Sequence, residues 1–267
     1  MVKISYITIT AWDRSRFGYL LEAYKSLKAQ TFKDFEWILV SYVNDVVPPM
    51  DLISGDINIR FISRPNCITP ATSWNTGIGA AEGEFIAFMD DDNLKAPKFG
   101  ETMLKFMDFY DALFCATQFI DSIGHFTGGH RVSTVDYNKA WECDNFYYME
   151  ELMARKSFLL DIGGFDENLL TGEDYELALR MMKVGTMRSI EDILCYIRKH
   201  GSNLSTPNTE DKVCKTINDM HKILKNFERL EDKCFTCGKE LGYARYPDSI
   251  IRFSGTWRRF CKNCANW

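Results

Sequence analysis

The sequence predicts an α/β fold with a largely parallel sheet. Two observations carry that reading: short β-type runs alternate with helical patterns over the first two-thirds of the chain, and the apolar run GEFIAFM stops abruptly at three carboxylates, as a buried strand does where it meets a loop. Strands are predicted over residues 3–10, 35–40, 57–63, 84–89 and 112–119. After the first strand, Phe17, Leu20, Leu21, Tyr24 and Leu27 recur at helical spacing, with Asp13 and Ser15 as capping residues. A second helix covers 72–81, and a third begins near Pro97 with Phe99, Met103, Phe106 and Tyr110 on one face. Between 122 and 145 the glycines, histidines and aromatics follow no period, which predicts a long irregular excursion. Regularity returns over 150–160, and a turn at GGFDENLLTGED leads into a helix through YELALRMMKVG. A last amphipathic helix carries Val213, Ile217, Met220, Leu224 and Phe227 and leads to a cysteine-rich end. The expected division is a body over 1–205, a connecting helix over 206–232 and a small unit over 233–267.

Composition narrows the class. At 267 residues the chain suits one sizeable domain with a small appendage. Its 46% hydrophobic and 26% charged residues are those of an ordinary globular protein. No uncharged apolar segment approaches the ~20 residues needed to span a bilayer. The start, MVKISYITITAWDRSR, alternates like a strand and shows no small-residue cleavage site, so a cytoplasmic location is expected. Of the nine cysteines, Cys67, Cys115, Cys143, Cys195 and Cys214 are scattered and expected to be reduced, buried small hydrophobes.

The carboxylates in FMDDDNLKAP fall on the loop after a buried strand, which is where open α/β sheets bind ligands. Three adjacent negative charges repel one another unless a cation, solvent or a partner offsets them. Oxygen ligands in that arrangement suit Mg²⁺ or Mn²⁺ and leave positions free for phosphates. The alternative is a solvated acidic turn that caps the following helix.

Read together, RPNCITPATSWNTGIGAAEGEFIAFMDDDNLKAP and GGFDENLLTGEDYELALRMMKVG resemble the family 2 glycosyltransferases of the GT-A fold, in order and spacing, over about residues 3–200. The resemblance implies a Rossmann-like mixed sheet flanked by helices. It also implies a metal-dependent, inverting transfer of a sugar from a nucleotide-diphosphate donor to an acceptor hydroxyl. Carried onto this chain, Asp90 faces the nucleotide ribose or a metal-bound water, and Asp92 ligates Mn²⁺ or Mg²⁺ beneath the diphosphate. Asp90 is also counted with Asp92 and His200 among the metal ligands, and Asp91 is grouped with the donor side while expected to point away from the cation. Asp174 matches the aspartate that deprotonates the acceptor, with Glu173 beside it; on residue type alone, both read as helix N-terminal charge. Thr10, Ala11, Asp13, Ser41, Arg64 and Asn75 complete the donor-binding set, and Asn66 follows Arg64.

The chain also departs from the family pattern. Ser41 stands where an aspartate usually holds the nucleobase, with Asn44 and Asp45 as possible substitutes; Asp13 replaces a common asparagine, and Trp74 a common arginine. The Q-x-x-R-W motif of processive synthases is absent, which favours a single-transfer enzyme. The glycines of GIGAAEG precede a strand instead of following one, so they serve helix-to-sheet packing, not a dinucleotide site. A nucleotidyltransferase needs a glycine-rich basic loop after the first strand, and TAWDRS is not one. A non-catalytic binding module on the same fold stays open at this stage.

At the end of the chain, CFTC and CKNC give C-x2-C-x23-C-x2-C. Cys234, Cys237, Cys261 and Cys264 are expected to form a structural Zn²⁺ unit of ribbon type, with a hairpin between the two pairs. Seven Lys and Arg against Glu240 and Asp248 make residues 233–267 basic, interleaved with aromatics. A stapled cap is one reading of that unit. The other is nucleic-acid contact, which would make the chain a glycosyltransferase of hydroxylated bases in DNA.

Overall fold

The computed structural model describes residues 2–11, 16–43, 55–64, 69–137, 148–169 and 172–201, together with the backbone of 250–253 and 256–259. The first half follows the predicted alternation. Strand β1 (Ile4–Thr10) leads to helix α1 (Phe17–Lys28), then to β2 (Phe35–Ser41) and β3 (Asn58–Ser63). Helix α2 (Pro70–Ala80) precedes β4 (Phe85–Phe88). The short β5 (Leu94–Lys95) and α3 (Phe99–Leu104) follow the carboxylate loop. Each element has a local cause: β2 reads FEWILVS and is buried at every position, as a central strand covered on both faces must be. Helix α1 buries Leu20, Ala23, Tyr24 and Leu27 along one stripe. Helix α2 starts two residues earlier than the apolar spacing predicts, because Thr69 caps it: its Oγ1 accepts from Thr72 N at 3.3 Å, and Pro70 occupies the first turn.

The second half is β6 (Ala112–Ile120), β7 (Phe126–Val132), a single 3₁₀ turn (Met149–Glu151), β8 (Leu152–Arg155), α4 (Lys156–Asp161), α5 (Glu173–Val184) and β9 (Met187–Arg198). Among the described residues the sheet runs β3-β2-β1-β4-β8-β6-β9-β5, with β7 beside β6. It is parallel from β3 to β4 and again between β6 and β9, but antiparallel where β8 joins β4 and β6, where β7 joins β6 and where β5 joins β9, so the sheet is mixed and the expectation of a largely parallel one holds in part. The irregular excursion expected over 122–145 is corrected in part. Residues 126–132 form a strand paired with β6, hidden from the pattern because almost every residue in it is exposed and Gly124, Gly128 and Gly129 take positive φ.

Two apolar cores lie on the two faces of the sheet. One packs Trp74, Ile78, Phe88 and Leu177; the other packs Tyr6, Leu27, Trp37 and Phe99. The glycines before β4 divide as their positions dictate: a Cβ on Gly77 would stand 2.4 Å from Ile7 Cγ2, whereas Gly79 faces open space. Trp74 stacks on Phe165 at 6.2 Å and meets Phe88 edge-on at 5.4 Å, so the tryptophan in place of an arginine serves packing. Cys115 and Cys195 are free and buried, as expected. No helix among the described residues is long and apolar enough to cross a membrane. The helix expected near 213–227, Asp13, Asn44, Asp45, Asn66 and the four paired cysteines lie outside the described residues. Strands β10 (Ile250–Phe253) and β11 (Thr256–Arg259) form an antiparallel hairpin in sequence between the two cysteine pairs.

Candidate active site

Parallel strands β1 and β4 end side by side, and the aspartate loop leaves from that edge: Met89 N still donates to Ile7 O at 2.9 Å, after which the chain turns through Asp90–Asn93. The positive partner that three carboxylates demand is supplied by the protein itself. The Arg16 guanidinium lies 2.7 Å from Asp91 Oδ1 and also pairs with Asp92 Oδ2. His200 Nε2 stands 2.9 Å from the same Asp92 oxygen, its ring stacked on Tyr19 at 5.4 Å. Asp91 turns toward the end of β1: Thr10 Oγ1 donates to its Oδ2 at 2.7 Å, and the side chain is buried. Burial raises the Asp91 carboxyl above its ordinary value, while Arg16 and Thr10 pull the other way. Asp90 is raised well above the carboxylate range, first by burial and then by the Glu150 carboxyl hydrogen-bonded to it.

A buried arginine frames this loop. Arg198 donates from Nε to Asp92 O at 2.9 Å, and its backbone N donates to Asn93 Oδ1 at 2.8 Å. Its remaining guanidinium nitrogens reach Asp121 O and Ser122 O at 3.2 Å and Glu22 Oε2 at 2.5 Å, over the face of Tyr19. The loop therefore has a fixed shape set by a strand more than a hundred residues later in the chain.

The second acidic group opens α5. Gly172, with φ 77°, delivers Glu173 and Asp174 into the first helical turn, where negative charge suits the helix dipole. Burial lifts Glu173 to about 8, and the neighbouring Asp174 adds to the rise. Asp174 is lifted to about 6 by burial, against the pull of the Tyr175 N–H that it accepts at 2.7 Å; the charge of Glu150 also reaches it. The helix is held by a fully buried ion pair. Arg180 Nη2 meets Glu176 Oε2 at 2.7 Å and also donates to Gly164 O at 2.6 Å, while Nη1 donates to Ile162 O at 2.7 Å.

The other predicted donor residues take separate places. Asn75 closes onto the glycine turn: Nδ2 donates to Phe165 O and Glu167 Oε1 at 2.9 Å, and Oδ1 accepts from Phe165 N at 2.8 Å. Gly164 has φ +64°, and a Cβ there would meet Asn75 Oδ1 at 2.5 Å, so the turn and the amide require each other. Ser41 closes a small turn with Val43, and Arg64 reaches Thr76 Oγ1 at 3.1 Å. Ala11 follows β1 directly. Among the described residues no set of three or more His, Cys, Asp or Glu side chains is arranged to hold a metal; Asp92 and His200 are brought together as a pair. Sequence reasoning missed Arg16, Glu150 and Arg198. Only Arg198 left a signal, as a charge two residues before His200 at the end of the strand run ILCYIR.

Comparison with known proteins gives this geometry its context. The model of Glycosyl transferase family 2 matches residues 6–165. An uncharacterized glycosyltransferase of Methanocaldococcus jannaschii is 28% identical over 174 residues, 61% of this chain and 59% of that protein. The pre-mycofactocin glycosyltransferase of Mycobacterium tuberculosis is 25% identical over 165 residues, covering 58% of this chain and 35% of that protein. The chain thus matches between about a third and three-fifths of the length of these relatives. Among solved structures, S. aureus TarS 1-349 in complex with UDP-GlcNAc shares the fold with a TM-score of 0.61 at 19% identity, over 82% of this chain and 66% of that one. With its sheet, its aspartate loop and a family match across more than half its length, the chain belongs to glycosyltransferase family 2.

Proposed function

We propose that the chain is a metal-dependent, inverting glycosyltransferase that moves a sugar from a nucleotide diphosphate to an acceptor hydroxyl. The observation that carries this reading is the convergence of its two acidic groups. The carboxylate of Glu150 acts on both Asp90 in the aspartate loop and Asp174 on α5, which supports one site that takes the donor on one side and the acceptor on the other. Asp174, raised to about 6, is ionised at neutral pH yet basic enough to take a proton from an alcohol as it attacks. The acceptor oxygen bonds to the anomeric carbon while the bond to the diphosphate breaks, and attack from the opposite face inverts the configuration.

The residues at Asp92 suit a divalent cation: a carboxylate oxygen and an imidazole nitrogen already face one another at 2.9 Å, with Asp90 beside them in the loop. Asp92, Asp90 and His200 would hold Mn²⁺ or Mg²⁺, which supplies charge stabilisation for the departing diphosphate. Arg16, paired with Asp91 and Asp92 in the free protein, would then be released toward the donor. A UDP sugar is the first donor to test, since TarS was solved with UDP-GlcNAc on the same fold. A thermal-shift panel of UDP, GDP, dTDP and CDP sugars with Mn²⁺, followed by donor hydrolysis, tests the reading. Turnover absent from the wild type, or equal after Asp92→Ala, would defeat it.

For the end of the chain we propose a structural Zn²⁺ on Cys234, Cys237, Cys261 and Cys264. Support comes from the spacing of the pairs and from the β10–β11 hairpin between them.

A further inference from the structure

We propose that Glu150 is a positioning residue: it holds Asp90 in place and ties the aspartate loop to the strand inserted beside it. Strand β8 enters the sheet antiparallel to β4, with Phe85 opposite Arg155, Ile86 opposite Ala154 and Ala87 opposite Met153. The 3₁₀ turn Met149–Glu151 stands directly before β8 and brings Glu150 to the loop that follows β4, with its carboxyl against that of Asp90. Glu150 itself is fixed from both ends. Its backbone carbonyl accepts from Lys95 Nζ and from Cys195 Sγ, the latter at 2.8 Å, and its side chain accepts from Asn93 Nδ2 at 2.8 Å. Asn93 Oδ1 accepts from the Arg198 backbone, and Arg198 Nε returns to Asp92 O. A chain of contacts therefore runs Asp90, Glu150, Asn93, Arg198, Asp92 and is closed into a ring by the backbone of the aspartate loop.

Glu150 is buried, and none of its contacts comes from a group that the proposed reaction consumes. Its consequence for donor binding rests on the functional reading above; the link itself does not. A site carboxylate is useful only while its orientation is fixed, and the ring supplies that fixity. The needed chemistry is specific. Glu150→Gln keeps an acceptor for Asn93 and presents an N–H donor to Asp90, whereas Glu150→Ala removes both contacts.

Two measurements test the proposal. In a double-mutant cycle of Asp90→Ala and Glu150→Ala, the shifts in unfolding temperature should be non-additive, and additive shifts would overturn it. In calorimetric titration with UDP and Mn²⁺, Glu150→Ala should weaken binding about tenfold or more and Glu150→Gln by less than about threefold, as for partners that orient a binding group. Equal loss in both variants would mean that the charge of Glu150 is what matters, and positioning would be refuted. A wild type that binds no UDP while the cycle stays non-additive would reject the functional reading and leave the link standing. Should Glu150→Ala not fold, a cycle of Glu150→Gln with Asn93→Asp reads the adjoining bond: Asn93→Asp alone sets two carboxylates face to face, and Glu150→Gln should relieve it. Additivity there would again overturn the proposal.

Discussion

Replacing Arg180 by methionine should strongly destabilise the protein around helix α5, which carries Asp174. The Arg180 and Glu176 side chains are fully buried, and they meet through Nε–Oε1 and Nη2–Oε2 contacts at 2.5 and 2.7 Å. Methionine preserves much of the volume but leaves a buried carboxylate without its partner, which costs about 3–5 kcal/mol. The carbonyls of Ile162 and Gly164 also lose a donor, at about 1–3 kcal/mol for a buried acceptor left unmade, less where water enters. Against a total stability of about 5–15 kcal/mol, Arg180→Met should leave the protein marginal. The double variant Glu176→Leu with Arg180→Met removes the stranded charge and should cost only the carbonyl contribution, about 1–3 kcal/mol. Urea unfolding followed by circular dichroism would measure both. The double variant should fold but lose about tenfold or more in donor turnover, because Arg180 ties the Gly164 turn to the helix that carries Asp174. A single variant no less stable than the double would refute the reasoning.

The remaining predictions concern charge and metal. Turnover should rise with pH through about 6, since Asp174 acts only when ionised; a flat profile there would remove it as the base. Stability should move oppositely. Glu173 has its folded value raised from 4.5 to about 8, so the stability linked to its neutral form is complete below about 4.5 and is lost as pH rises through about 8. Unfolding temperatures between pH 5 and 9 should lose that slope in Glu173→Gln. Asp92→Asn should cut donor hydrolysis by about a hundredfold or more while the unfolding temperature changes little, because Arg16 keeps Asp91 as a partner. Metal analysis should find about one Zn²⁺ per chain, lost in Cys261→Ser, as tetrahedral thiolate sites require all their ligands.

What was legible in the sequence followed from local pattern. The run FEWILVS can only be a strand covered on both faces, and it is buried throughout. The stop at three carboxylates located the strand edge where the loop leaves, and the acidic start of α5 was read from EDYELALRMMKVG. β7 was illegible for the complementary reason: with both faces exposed it has no apolar alternation to read.

The answer to the carboxylate cluster was of another kind. Its charge is balanced by Arg16, which lies between β1 and α1; His200 after β9 meets Asp92, and the orientation of the cluster depends on Glu150. None of these partners stands within fifty residues of the aspartates, and of the three only His200 was legible, through the family resemblance. Glu150 acquires its place only because β8 is inserted antiparallel between β4 and β6, a choice that no window of sequence around residue 150 expresses. Long-range register, not residue type, turns an ordinary acidic dipeptide into part of the site. For the same reason the residues that resemble a family motif could be named in advance, while those that hold them in place could be found only after the strands were paired.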